Sequence, residues 1–145
     1  MSVVSRFFPE IAREASTGRD FMATGNPKAS LMVIYESGDG FKKVTITVDQ
    51  YTSLSEVSSA YQEAVQKSQS VPGYEPVPVP NVGQQTFAGT VTMGGETHIG
   101  LGARNHKLIV GATLAGYDAS SANTDKLVIV ARMQGAAAKK AADLQ

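Results

Sequence analysis

Between Thr97 and Leu114 the chain reads THIGLGARNHKLIVGATL, and its apolar positions alternate so regularly that the segment predicts a β-hairpin with a two-residue turn at Arg104-Asn105. That turn sets Ile99 opposite Val110, Leu101 opposite Leu108, and Ala103 opposite His106. One face of the hairpin is then a core surface. The other carries His98, Gly100, Gly102, Ile109 and Gly111 and is nearly bare of side chains. A bare sheet face needs cover. The first expectation is a helix backbone lying close on it, the helix from Ser121 being the nearest candidate. The second is an apolar cleft for a small ligand or peptide, lined by Ile109, His98 and Tyr117.

The same patterning predicts the other elements. Pro9 suits the first turn of a helix over Pro9 to Ser16, with Phe7 and Phe8 pinning its entry. SLMVIYE reads as a buried strand, and FKKVTITVDQY as a half-exposed one with Val44, Ile46 and Val48 on one face and Lys43, Thr45, Thr47 and Asp49 on the other. Ser37-Gly38-Asp39-Gly40 supplies the turn between them. Ser53-Leu54-Ser55-Glu56 is a capping box, and Leu54, Val57, Tyr61, Ala64 and Val65 follow at helical spacing. Four prolines between Val71 and Gly83 predict an extended strap joining two halves of one domain. QQTFAGTVTM is a further strand, and the segment from Ser121 to Ala141, capped by Asp118 or Ser120, a helix interrupted or weakened at Gly135. The resulting order, α-β-β-α-β-β-β-α, predicts an α+β domain spanning 1–145, with helices packed on one antiparallel sheet of about five strands.

Composition removes several kinds of chemistry. Thirteen basic residues balance thirteen acidic ones, leaving no electrostatic footprint for nucleic acid. Without cysteine there can be no disulfide, thiolate metal site or cysteine nucleophile. No stretch approaches the roughly 18 apolar residues of a membrane span, and the start MSVVSRFFPEIAREAS lacks a signal-peptide arrangement. The uncharged Ser, Thr, Asn and Gln content gives a mild, neutral surface of a kind frequent in exported proteins.

Glu96 and His98, two apart on one strand, point to one face with the spacing of a carboxylate–imidazole pair. In the register above, His106 falls on the opposite face and about 17 Å along the sheet, which argues against a metal shared by the two histidines. There is no Gly-x-Ser-x-Gly elbow, and the Gly94-Gly95 and Gly100-Leu101-Gly102 runs lack the helix and third glycine of a dinucleotide fingerprint. No cofactor is expected. Tyr74 in the strap and Tyr117 after Gly116 are the aromatic residues expected at the surface, where such groups often serve recognition.

From Val82-Gly83-x-x-x-Phe87 through the Gly100-Leu101-Gly102 and Lys107-Leu108-Ile109-Val110 hairpin to the segment from Asn123 to Ala131, the chain resembles small bacterial exported domains, many of them lipoproteins, with a PsbP-like layout. The resemblance implies a binding, sensing or assembly role in the periplasm or outside the cell, and it carries over no catalytic residues. The sequence thus favours a non-enzymatic domain that binds a partner protein or small ligand over its glycine face and strap. Two alternatives stand beside it: a metal-free acid/base enzyme, a lyase or isomerase, using Glu96 and His98, and a structural homodimer subunit.

Overall fold

The computed structural model describes residues 2–143. In chain order the elements are α1 (Ser2–Phe7), β1 (Ile11–Gly18), β2 (Ala29–Ser37), β3 (Lys43–Gln50), α2 (Leu54–Gln69), β4 (Glu75–Pro76), β5 (Gln85–Met93), β6 (Glu96–Asn105), β7 (Leu108–Ala115) and α3 (Ser121–Asp143). The strands form a single antiparallel sheet in the order β1-β2-β3-β7-β6-β5-β4. An α+β architecture on an antiparallel sheet is therefore present, with seven strands in place of the expected five.

The added strands lie at the two edges, where local pattern is weakest. The expected helix over Pro9 to Ser16 is absent. Pro9 instead follows the end of α1, because the residue before a proline is pushed out of the helical region. Ile11–Gly18 pairs with β2 through two register irregularities, and only Ile11 of it is buried. Such a strand is held by its neighbour's free backbone groups, not by its own apolar pattern. At the other edge the strap contributes β4, whose Pro76 sits where no further ladder partner is needed. β2 is also less buried than its sequence suggests, Leu31 being 45% exposed, because it lies one strand from the edge.

The hairpin of β6 and β7 forms, but with a different register. Ile99 faces Leu114, Leu101 faces Ala112, Ala103 faces Val110, and Gly102 lies directly across from Gly111. The turn is at His106-Lys107, with His106 in the left-handed region at φ 54°. Arg104 and Asn105 continue the strand because β6 is central. Arg104 pairs with Gln85 on one side and Ile109 on the other, and both ladders would lose rungs if the chain turned earlier. Relative to the expected register the partner has moved by four positions. An even shift leaves every side chain on its own face, so the division into a greasy and a bare face survives.

The greasy face is covered by α1 and α3. Val4, Phe8, Leu127, Val128, Val130 and Ala131 pack with Val44, Ile46, Ile99, Leu101, Ala112 and Leu114. α3 runs through Gly135 without interruption, and that glycine lies over Val110 of β7. Ser120 caps the helix by accepting the Asn123 N–H at 3.2 Å. The last helix therefore packs on the side opposite the glycines, contrary to expectation, because its own apolar stripe matches the apolar face.

α2 lies on the other side. Ser53 Oγ accepts the Glu56 N–H at 3.1 Å, as the capping box predicts, and Val57, Ala60 and Tyr61 bury against Tyr51 and Ile109. Leu54, by contrast, is 58% exposed. Leu114→Ala is expected to destabilise the fold by about 2–5 kcal/mol and Leu54→Ala by under ~0.5 kcal/mol, read as shifts in the urea midpoint.

Candidate functional site

The face of β5, β6, β7 and β3 that α3 leaves uncovered forms the floor of a cavity of about 360 Å³. Gly89, Gly100, Gly102, Gly111, Thr45, Thr47 and Thr113 supply small or short side-chain positions there. Three elements wall it: α2 with Ala64 and Ser68, the strap with Val71 and Tyr74, and the 19–28 connection with Asp20, Met22, Ala23 and Thr24.

The glycines on this floor differ in what occupies the space above them. A Cβ at Gly89 would collide with the Tyr74 ring, one at Gly102 with the Phe87 ring, and one at Gly111 with Thr47 Oγ1. These three make room for the chain's own side chains. Above Gly100 there is nothing within 4 Å. Its bare surface is the part of the floor that the protein does not use.

The 19–28 connection is held at both ends. The Asp20 N–H donates to Ser30 Oγ at 3.0 Å, and that hydroxyl donates to Asp49 Oδ1 at 2.6 Å. Further along, Thr24 Oγ1 donates to the Ala60 carbonyl at 2.6 Å, and the Tyr51 hydroxyl donates to the Thr24 carbonyl at 2.6 Å. Burial raises the Tyr51 phenol to about 12, so it remains a donor. Phe21 and Met22 between these anchors are exposed.

Asp49 and Asp20 are nearly fully buried, and both line the cavity. Burial, and then the hydrogen bond with Asp20, raise the Asp49 carboxyl to about 8; the Ser30 hydroxyl and the Arg19 charge oppose the rise. The pair therefore holds a proton more firmly than a free carboxyl does. Among the described residues neither carboxyl has an ion-pair partner. Sequence reasoning placed Asp49 on the polar face of β3 but missed the pair. Asp20 meets it only once the long-range fold brings the 19–28 connection beside β2 and β3, and no local spacing signals that.

Among the residues predicted for a site, His98, Gly100, Gly102, Ile109, Gly111 and Tyr74 all line this cavity. Tyr74 is half-buried, its hydroxyl donating to the Ala88 carbonyl at 3.2 Å. Tyr117 belongs elsewhere. It is buried on the greasy side, edge to face with Phe8 at 5.2 Å, since Gly116 turns the chain back under α1. Glu96 does not line the cavity. It stands 3.9 Å from His98 Nε2 at the exposed start of β6, a loose contact. His106 lies in the turn at the far end of the same strand, so the two histidines are apart, as expected.

Among the described residues, no group of three or more His, Asp or Glu is placed to hold a metal ion, and no helix is long and apolar enough to cross a membrane. The sequence matches no known family model and no characterised protein.

A group whose folded pKa is raised binds a proton that the unfolded chain has already released. The stability from Asp49 is thus fully present below its ordinary value of 3.8 and is lost as pH rises toward about 8. Asp49→Asn keeps the acceptor for Ser30 and a donor for Asp20, so it is expected to flatten this decline and raise the melting temperature at pH 8. Melting curves from pH 4 to pH 9 on both proteins check it.

Proposed function

We propose that this chain is a non-catalytic binding domain that holds a small, largely apolar ligand in the cavity over Gly100. The observation that carries the reading is the unoccupied space above that glycine, on a floor where Gly89, Gly102 and Gly111 are each filled by the chain's own groups. A cavity of about 360 Å³, walled by Met22, Met32, Val71, Phe87 and Ile109 with a few polar groups, has the make-up of a small-molecule site. Glu96 and His98 do not converge on it together, which leaves the enzymatic alternative without an acid/base pair at that place. The proposal includes export, which the mild, neutral surface rich in Ser, Thr, Asn and Gln supports.

Gly100→Leu tests the reading. The new side chain enters open space on a strand, so the fold is expected to persist, whereas affinity for the neutral fluorescent dye N-phenylnaphthylamine is expected to fall about tenfold or more. Unchanged dye affinity in a folded variant contradicts the proposal.

A further inference from the structure

The strand register fixes what surrounds the open space above Gly100. Along β6 its neighbours on the same face are His98 and Gly102, and across the two ladders they are Gly89 of β5 and Thr113 of β7. These positions stand roughly 5 Å away across a ladder and roughly 7 Å away along the strand, within reach of one small molecule. Two of them are glycines whose space holds a ring, Tyr74 over Gly89 and Phe87 over Gly102. Both rings are fixed, Tyr74 through its hydroxyl on the Ala88 carbonyl and Phe87 edge to face with Tyr61. His98 brings a third ring to the remaining side along the strand, and it lines the same cavity.

The opening therefore has a floor of bare backbone, aromatic walls on three sides and Thr113 on the fourth. Among the described residues, the Thr113 hydroxyl has no hydrogen-bond partner, and neither does that of Thr45 behind it on β3. No lysine or arginine lines the cavity, so a negatively charged head group finds no fixed cation there. A planar ring lies flush on backbone that bears no side chain, and its rim meets the walls in the edge-to-face manner that aromatic pairs favour. A puckered ring of the same size stands off that floor. We infer that the opening over Gly100 takes a small, neutral, planar aromatic ring bearing a hydroxyl, the ring flat on the Gly100 backbone and the hydroxyl paired with Thr113. This rests on the binding reading above and adds the ligand's chemical class. Asp20 and Asp49 take no part, since Asp49 pairs with Ile109, four residues along β7 from Thr113.

The experiment titrates phenol, toluene and cyclohexanol separately into the wild-type protein and into Thr113→Val. The backbone amide signals of Gly100 and Gly89 are followed by NMR, with His106 in the distant turn as the reference. Phenol offers both the plane and the hydroxyl, toluene the plane alone, and cyclohexanol the hydroxyl alone. Phenol is expected to bind about fivefold or more tightly than either of the others. Thr113→Val, which exchanges a hydroxyl for a methyl of the same shape on a strand, is expected to bring phenol down to the level of toluene and to leave toluene unchanged. Cyclohexanol equal to phenol, toluene equal to phenol, or a preference for phenol over toluene that survives Thr113→Val overturns the assignment and leaves the cavity reading standing. Failure of all three probes to move the Gly100 and Gly89 signals overturns both.

Discussion

Everything in this molecule depends on how β6 sits between β5 and β7. Its odd-numbered residues Ile99, Leu101 and Ala103 are large or apolar and buried, while Gly100 and Gly102 stand between them. With strand side chains alternating strictly, one choice of parity sends all the bulk to one side and all the emptiness to the other. The helices sort themselves accordingly. α1 and α3 take the greasy side, where their apolar stripes have something to bury, and only the short stripe of α2 reaches the other, over Ile109 and Phe87.

The consequence is a sheet that is a core on one side and a cavity floor on the other. α2 cannot descend onto the glycines along its whole length, because the rings of Tyr61 and Phe87 stand in edge-to-face contact at 5.5 Å between helix and sheet. The strap adds Tyr74 over Gly89, and the 19–28 connection closes the remaining wall through Ser30, Ala60 and Tyr51. An open volume remains above Gly100 by geometric default. At one end of it lie the buried carboxyls of Asp20 and Asp49, held by Ser30 and the Met22 N–H.

Much of this was legible in the sequence where the physics is local. The capping box at Ser53, the alternation of β3 and the two-faced hairpin each need only a few neighbouring residues. The glycine face was identified despite the wrong turn, because the error of four positions preserved parity. What escaped was non-local. β1 is an edge strand with almost no buried side chain, so its existence depends on β2's open hydrogen-bonding edge and not on a pattern. Tyr117 reads as a loop aromatic until Gly116 turns it beneath Phe8. The Asp20–Asp49 pair requires β1, β2 and β3 to be side by side before either acid meets the other.

The pairing of β6 with β7 is the claim to measure directly, since it sets which residues of β7 and β3 stand beside Gly100 on the cavity floor. Dipolar contacts between backbone protons in an isotope-labelled sample report it without mutation. The account predicts contacts linking Gly102 to Gly111 and His98 to Ala115. Contacts linking His98 to Gly111 would contradict it.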